Sequence, residues 1–263
     1  MTVLRLAAAL AVVIAISLLW AGLGDSHRQN ADLSSAAYRS LPAAPAPALK
    51  VGRPEQLSSS RFSSRWTTVR RPTLARSRPS ASAPVVAELS TRAPEGTANA
   101  LSVIGARADA HSRVWVEVRL PVLPNGTDGW VPRRSLGAYQ TLDTGLVVER
   151  SALRATLYRD GKAIFSAPVG IGTSTWPTPV GRFIVRTELT RYASPFYGPV
   201  SFGTSARSAV LTDWPAGGFV GIHGTSDPQL IPGRISHGCI RMRNPDILRL
   251  ARLMPVGTPL LIR

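Results

Sequence analysis

The sequence predicts a mainly β protein with one helix near its C-terminal end. Glycine and proline number 22 each among 263 residues, and both favour turns over long helices. Apolar residues recur in short alternating runs, as expected of strands with one buried face. Only "ILRLARLM" (247–254) has the apolar spacing of an amphipathic helix. A hydrophobic content of 44% is enough to build a core.

The N-terminal segment predicts where the protein works. Residues 6–24, "LAAALAVVIAISLLWAGLG", carry no charge and follow Arg5. Such a run is either the core of a signal peptide or a membrane anchor, and we assign residues 1–24 to one of these two. Arg5 would keep the N-terminus of an anchor in the cytoplasm. Either way the remaining chain is exported.

Residues 25–85 are predicted to form a disordered linker. They are rich in Pro, Ala, Ser and Arg and show no sustained periodicity, so they would bury little apolar area to offset their chain entropy. The net charge of the chain is +16. This charge indicates either an anionic partner, such as nucleic acid, anionic lipid or an acidic polymer, or a solvated basic surface. We do not expect nucleic acid as a partner, because an exported chain rarely meets it.

Residues 86–140 are predicted to form a small β domain. Val114, Val116 and Val118 alternate with polar or aromatic neighbours, and Asn125-Gly126 is a strong turn signal before the "GWV" strand. This arrangement resembles the bacterial Src-homology-3-like domains of cell-wall proteins. The alternative is an unrelated β-meander packed on the following domain.

Residues 143–263 are predicted to form a second β domain. Asp160-Gly161 separates two strand-like runs and predicts a hairpin. Near the end, Asn244 is placed to cap the helix, Pro245 suits its first position and Asp246 suits the positive end of its dipole. After the helix, "TPLLIR" predicts a closing strand.

Cys239 is the one cysteine of the chain, so it cannot form a disulfide within it. Two imidazoles are close in sequence: His237 lies two positions before it, and His223 precedes it by a Gly/Pro-rich loop that would bring a second strand alongside. An imidazolium lowers the pKa of a neighbouring thiol, which makes the cysteine a nucleophile. The alternatives are a buried filler and a zinc site formed with Asp246, although H-x-C is a tight spacing for two ligands.

Further residues around Cys239 suit acyl transfer. Gly238 lets the backbone turn sharply before the nucleophile, and backbone N–H groups there would face a developing oxyanion. Arg241 and Arg243 would share one face of a strand, where a guanidinium pairs in a planar fork with a substrate carboxylate. The alternative for each arginine is a solvent-facing side chain.

The segments "HGT" and "SHGCIRMRNPD" resemble the signature of the L,D-transpeptidases of bacterial cell walls, with a YkuD-type catalytic domain, and "VGIGTSTWPTPVGRF" resembles their upstream stretch. The resemblance covers residues 143–263 and implies an L,D-transpeptidase-type β-sandwich. It implies that Cys239 is the nucleophile, that His223 is the general acid/base and that His237 shapes the site. Further roles implied are oxyanion binding or support by Gly238 and Ser236, and substrate binding by Arg241, Gly224 and Thr225.

The resemblance also implies the reaction. Cys239 would be acylated by a peptidoglycan stem tetrapeptide and would pass the acyl group to an amine, giving 3-3 cross-links. Transfer to water would make the protein an L,D-carboxypeptidase, and a non-catalytic wall-binding module is a further alternative. No cofactor or metal is implied, and we expect a monomer. In the segment 191–208, Tyr192, Phe196 and Tyr197 either line a substrate groove or pack within a lid.

Overall fold

The computed structural model describes residues 55–56, 64–190, 195–211 and 218–263. All of them belong to one compact unit, Leu49–Arg263. They form two sheets and one α-helix, so the predicted fold class is confirmed. The apolar run 6–24 lies outside the described residues. Within them, no helix combines the length and the apolar character needed to cross a membrane.

The first sheet has eight strands in the spatial order β4-β3-β7-β6-β5-β2-β8, with β1 also paired to β5. Every pairing in it is antiparallel. Its core includes Val116 and Val118, as their alternation predicts. The strands are β1 (Glu55–Gln56), β2 (Ser64–Thr68), β3 (Thr73–Arg76), β4 (Val85–Leu89), β5 (Ala100–Ala108), β6 (Val114–Arg119), β7 (Asp128–Pro132) and β8 (Gln140–Leu142).

This sheet corrects the predicted linker, residues 25–85. Strands β2 and β3 lie inside that segment, and β2 is a central strand between β5 and β8. Each is only four or five residues long, too short to show a period. Their pairing partners are distant in sequence, so only the tertiary structure reveals them. A truncation at residue 86 would therefore remove three strands of the sheet, β1, β2 and β3, together with the first residue of β4. The likeness of this sheet to a Src-homology-3-like domain stays a prediction.

The second sheet has ten strands in the spatial order β11-β10-β9-β18-β13-β14-β15-β17-β12-β16. Three pairs are parallel: β9 with β18, β15 with β17, and β12 with β16. The helix α1 (Asn244–Ala251) buries Ile247 and Leu250 in the core of this sheet. The strands are β9 (Thr144–Glu149), β10 (Arg154–Arg159), β11 (Lys162–Pro168), β12 (Gly170–Gly172), β13 (Gly181–Leu189), β14 (Ser201–Arg207), β15 (Phe219–His223), β16 (Gly233–Ser236), β17 (Ile240–Arg241) and β18 (Pro259–Ile262).

Two local predictions have different outcomes. Asp160 and Gly161 both have positive φ, +50° and +75°, and they join β10 to β11 as the predicted hairpin turn. The helix begins at Asn244, with Pro245 in its first turn. The prediction that Asn244 caps it is wrong: Arg243 occupies the N-cap position, and no side chain caps the helix.

Trp66 of the first sheet packs against the second sheet. It forms a small cluster with Ala100 and Ile184, and its indole lies over Gly257, where φ is +94°. A Cβ at Gly257 would clash with Trp66 Nε1 and the neighbouring ring atoms. The glycine therefore serves both a left-handed turn and the contact between the two sheets.

We expect Gly257→Ala to lower the free energy of unfolding by about 2–4 kcal/mol, because backbone strain and a clash with Trp66 add. Gly126→Ala is the matched control, since Gly126 has φ +93° but a Cβ there would have no neighbour within 4 Å; it should cost only about 1 kcal/mol. Urea denaturation measures both. Equal losses would contradict a special contact at Gly257.

Candidate active site

Register between β15 and β17 places the candidate residues on one face of the sheet. The two strands are parallel, with Ile222 opposite Ile240 and His223 opposite Arg241. Both isoleucines are fully buried in the core. Because side chains alternate along a strand, His223 and Arg241 lie on the opposite face. Cys239 immediately precedes β17 and is two residues from Arg241, so the sequence-predicted nucleophile, base and arginine are brought together.

Gly221 lies next to both the sulfur of Cys239 and the imidazole of His223. Its N–H donates a hydrogen bond to Cys239 Sγ at 3.4 Å. A Cβ on Gly221 would lie 3.9 Å from Cys239 Sγ and 3.8 Å from His223 Cδ2. Both are ordinary van der Waals distances, so the position of Gly221 adjoins the thiol and the imidazole alike.

A narrow pocket of about 60 Å³ opens at the sulfur. Cys239, His223, His237 and Arg241 contribute to its wall. Tyr197, Phe219 and Ser208 also line it. Tyr197 therefore lies where a groove residue was predicted, whereas Phe196 is 69% exposed and does not line this pocket. Tyr192 lies outside the described residues.

The electrostatics correct the expected thiolate–imidazolium pair. Burial raises the pKa of the Cys239 thiol, although the Gly221 N–H and the charge of Arg241 oppose this shift. Burial also lowers the pKa of His223 to about 4. The hydrogen bond to Gly224 acts to raise this pKa, whereas the positive charge of Arg241 acts to lower it further. At neutral pH both groups are therefore uncharged. The sequence predicted the pairing but not the degree of desolvation that sets the protonation states.

Hydrogen bonding fixes the tautomer of the neutral His223 ring. Nδ1 lies 2.6 Å from the carbonyl oxygen of Gly224. A carbonyl only accepts, so the proton of the neutral ring is on Nδ1 and Nε2 keeps its lone pair. The ring also meets the edge of Tyr197, with 4.8 Å between centroids. These contacts orient the ring and leave Nε2 as the nitrogen that could accept a proton.

His237 occupies another part of the pocket wall. Its ring lies against Trp176, with centroids 4.2 Å apart and planes tilted by 41°. It lines the same pocket as Cys239, and its role in shaping the site stays a prediction. Trp176 was not singled out from the sequence, because an indole between Thr and Pro carries no local signal of this contact.

The turn before Cys239 is braced by hydroxyl groups. Ser236 Oγ donates to the carbonyl of Cys239 at 2.5 Å and accepts from the N–H of Gly238 at 3.1 Å. Gly238 has φ +114°, a conformation that favours glycine. Because Ser236 takes up its N–H, Gly238 does not present that group to the pocket. This corrects the expectation that the Gly238 N–H serves an oxyanion.

Thr178 is a bracing residue that sequence reasoning missed. Its Oγ1 donates to the carbonyl of Gly238 at 2.7 Å and accepts from the N–H of Gly172 at 2.8 Å. The side chain is fully buried and ties the Cys239 turn to the end of β12. It lies in the "TPVG" segment, yet its partner Gly238 is 60 positions away.

We expect Thr178→Val to lower the acylation rate of Cys239 about tenfold, because the Gly238 carbonyl and the Gly172 N–H both lose a buried partner. Thr178→Ser keeps both hydrogen bonds and should retain most of the rate. Quenched-flow mass spectrometry on Cys239 with a β-lactam measures the step. A valine variant that acylates like the wild type would contradict the bracing role.

Arg241 and Arg243 lie in different surroundings, one at the pocket and the other against a supporting loop. Arg241 lines the pocket, and its Nε is buried without a hydrogen-bond partner. Arg243 instead donates from Nη2 to the carbonyl of Ile231 at 2.5 Å. Of the two alternatives stated for each residue, Arg241 thus faces the site, whereas Arg243 braces the loop before β16.

Gly224 and Thr225 are buried and do not line the pocket at Cys239. The N–H of Thr225 donates to Asn244 Oδ1 at 3.0 Å, and a Cβ at Gly224 would clash with the same oxygen. This contact explains why Asn244 does not cap α1. In this structure the two residues support the strand end that carries His223, rather than presenting groups to the pocket.

The positions of the acidic, histidine and cysteine side chains can be compared with the zinc site considered as an alternative for Cys239. Across the described ranges, no three His, Cys, Asp or Glu side chains are grouped so that they could hold a metal ion. Asp246 lies in the first turn of α1, and the pocket at Cys239 does not include it.

Residues 143–262 match the family model of the L,D-transpeptidase catalytic domain, known as YkuD. The match coincides with the second sheet and contains every candidate site residue. The first sheet lies outside it.

Relatives carry the same family name. Residues of this chain are 30% identical over 118 positions to the putative L,D-transpeptidase YkuD of Bacillus licheniformis, a match that covers 45% of this chain and 64% of the relative. The probable L,D-transpeptidase YbiS of Escherichia coli K12 is 29% identical over 136 residues, covering 45% and 44%. The chain thus spans less than two thirds of these relatives. A solved L,D-transpeptidase of Enterococcus faecium is 25% identical, with a TM-score of 0.37 and coverage of 48% and 55%.

Proposed function

We propose that this protein is a cysteine-dependent L,D-transpeptidase acting on peptidoglycan stem peptides. The observation that carries the proposal is the placement of Cys239, His223 and Arg241 on one face, around a pocket that opens at the sulfur. A thiol beside a neutral imidazole can transfer an acyl group through a thioester, and a nearby cationic group can bind a carboxylate of the substrate. The family match of residues 143–262 supports the same chemistry.

Acylation starts from the neutral pair. Cys239 Sγ attacks the carbonyl carbon of the third stem residue while its proton passes to His223 Nε2. The N–H of Gly221, which already donates to Sγ, stabilises negative charge on the sulfur as the proton leaves. The positive charge of Arg241 acts in the same direction. Because burial opposes both charged forms, proton transfer is coupled to attack rather than preceding it.

The tetrahedral intermediate collapses by general acid catalysis. Its oxyanion is placed near the N–H of Cys239, since the N–H of Gly238 is taken by Ser236. The imidazolium of His223 protonates the amine of the terminal D-residue as its bond to the carbonyl carbon breaks. The products of this half-reaction are a free D-amino acid and a thioester on Cys239.

Deacylation decides the product. An amine from a second stem attacks the thioester carbon, His223 takes the proton of that amine, and the thiol of Cys239 is restored as the leaving group. The product is a 3-3 cross-link. With water as acceptor the product is a tripeptide, and the protein is an L,D-carboxypeptidase.

The experiment is product analysis. The full chain is incubated with a disaccharide-tetrapeptide, and the products are separated by mass. A cross-linked dimer lacking one terminal D-residue supports the transpeptidase, and a tripeptide alone supports the carboxypeptidase. Absence of both, in a folded sample whose thiol titrates as one equivalent, would overturn the proposed function.

The cellular setting follows from the substrate. Peptidoglycan lies outside the cytoplasmic membrane, so we propose extracytoplasmic action, with residues 1–24 as the export signal or anchor. We propose a monomer that needs no cofactor, because the described residues supply nucleophile, base and anion partner from one chain.

A further inference from the structure

A wide groove lies on the first sheet, and none of its lining residues belongs to the candidate active site. It measures about 680 Å³, against about 60 Å³ at Cys239. Its wall is formed by β3, the start of β6 and the turn after β7. We call it the cationic groove, because four arginines line it and no acidic residue does: Arg76, Arg113, Arg133 and Arg134.

Three of these guanidinium groups are held in place. Arg76 donates to the carbonyl of Ala83 at 2.6 Å, and Arg133 donates to the carbonyl of Leu136 at 3.0 Å while lying over the ring of Tyr139. Arg113 is fixed by Asp109, which neutralises its charge. Each of these contacts uses only part of the five-donor fork, so the side chains are oriented in advance for planar anions.

Arg134 supplies uncompensated charge. It is exposed, and within the described parts of the chain no hydrogen bond or ion pair engages it. Counting the Asp109–Arg113 pair as neutral, three positive charges remain along one groove. A ligand with a single anionic group would leave most of them unused, so the groove suits a polymer with repeated anionic groups.

The apolar wall narrows the class of polymer. Leu74 and Val114 are 37% and 39% exposed here, whereas Trp115 is only 4% exposed and its Nε1 is bonded to Asp109. Nucleic-acid bases need an exposed aromatic platform for stacking, which this groove does not offer. Small aliphatic side chains instead suit the aliphatic or sugar backbone of an acidic polymer.

We propose that the cationic groove binds an extended acidic polymer, one that carries carboxylate or phosphate groups at intervals along a non-aromatic backbone. Binding there would retain the chain on its polymeric surroundings without occupying the pocket at Cys239. This inference does not depend on the reaction proposed above.

The test is fluorescence anisotropy of the full chain with labelled poly-L-glutamate and, separately, labelled polyphosphate. We expect Arg134→Gln to raise Kd about five- to tenfold for the preferred polymer, because one charge-assisted contact is lost. The matched control is Arg154→Gln, which removes the same charge from an exposed arginine of the second sheet and should change Kd less than about twofold. The polymer that binds with the lower Kd shows whether the groove prefers carboxylate or phosphate groups.

Three results would overturn the proposal that the cationic groove binds an acidic polymer. The first is that neither polymer binds at low salt. The second is an equal loss of affinity in Arg134→Gln and Arg154→Gln, because equal losses indicate diffuse charge attraction. Tighter, Arg134-dependent binding of a single-stranded RNA than of either polymer would replace the proposal with nucleic-acid recognition. Unchanged alkylation of Cys239 in each variant shows that the second sheet is intact.

A second inference rests on a different observation, the two cations around Phe219. This ring of β15 lines the pocket at Cys239. The guanidinium of Arg186 lies 4.6 Å from its centroid and that of Arg207 lies 5.0 Å from it. Both arginines belong to neighbouring strands of the second sheet, and together they fix one wall of the candidate active site.

Loops that join strands of the first sheet contact both arginines. Arg186 is 3% exposed, and its described ion pair is with Glu95, in the loop between β4 and β5 of the first sheet, at 3.8 Å. The backbone of Arg207 is clamped by Asn125, whose amide donates to its carbonyl at 2.7 Å and accepts from its N–H at 3.0 Å. Glu95 also compensates a cation that burial otherwise disfavours.

We infer that Glu95 is a positioning residue for the active site, acting through Arg186 on the ring of Phe219. Loss of the carboxylate leaves a buried guanidinium without its counter-charge, and the guanidinium then moves toward water and releases the ring. This inference deepens the proposed transpeptidase function, since it names a determinant of how the acyl donor fits.

The test compares Glu95→Gln with Glu88→Gln, which removes an exposed carboxylate from the same sheet. For the donor tetrapeptide we expect Glu95→Gln to raise KM about tenfold with kcat changed less than twofold, because the wall and not the nucleophile is disturbed. Glu95→Asp keeps the negative charge, so its KM should lie close to that of the wild type. Glu88→Gln should behave as the wild type.

A readout without donor chemistry separates this inference from the proposed function. Cys239 is the single thiol, so its alkylation by iodoacetamide and by a bulkier N-benzyl analogue is measured by intact mass. Glu95→Gln should raise the bulky-to-small rate ratio about threefold, because a looser wall admits the larger reagent. Phe219→Ala should raise it too, and adding Glu95→Gln to Phe219→Ala should then change little. Additive effects, or a ratio unchanged by Glu95→Gln, would overturn the inference.

Discussion

Replacing Cys239 by alanine should abolish acylation and lower turnover at least about 10⁴-fold, because no other group can form the acyl intermediate. The chain has one cysteine, so the result is read from intact mass. The wild type incubated with tetrapeptide and quenched in acid should gain the mass of one acyl group, and the alanine variant should gain none.

Cys239→Ser is the companion variant. A serine keeps the size of the side chain and the turn braced by Ser236 and Thr178, but its hydroxyl has a much higher pKa than a thiol. It should fold like the wild type and react far more slowly. An alanine variant that still cross-links stem peptides would show that the reaction occurs elsewhere on the protein.

Replacing His223 by glutamine should lower kcat/KM by about 10²- to 10⁴-fold, since general base assistance is lost. The pH profile carries the sharper expectation. The pKa of His223 is lowered to about 4 by burial, so the wild-type rate should stay high on the acid side and fall only near that pH. The glutamine variant should instead rise with pH throughout, because its raised thiol pKa leaves only a small thiolate fraction to react.

The same histidine makes stability depend on pH. Between its usual pKa of 6.5 and about 4, the unfolded chain binds a proton at His223 that the native protein does not. Stability is therefore lost as the pH falls through this window, by up to about 3 kcal/mol. Urea denaturation at pH 7 and pH 4 should show a smaller difference for His223→Gln. A rate profile with its acid limb near 6.5 would contradict a buried, neutral imidazole.

Strand and helix patterns could be predicted because they depend on local periodicity. The alternation of Val116 and Val118, the Asp160-Gly161 turn and the helix over 244–251 are visible in single segments of the chain. Within the described residues 64–85, the linker prediction was wrong for the opposite reason. Strand β2 is too short to show a period, and it is stabilised by β5 and β8, whose residues are distant in sequence.

For the candidate site, the sequence by itself determined which groups meet. The Gly/Pro-rich segment that returns the chain from His223 to Cys239, and the alternation of side chains in strands, place imidazole, thiol and Arg241 on one face. Their protonation states, the hydrogen bond from Gly221, the bracing by Thr178 and the contact of Glu95 with Arg186 were decided only by the tertiary structure. The physical reason is that desolvation and buried hydrogen bonds depend on everything that surrounds a group, and these surroundings come from segments up to about ninety positions apart.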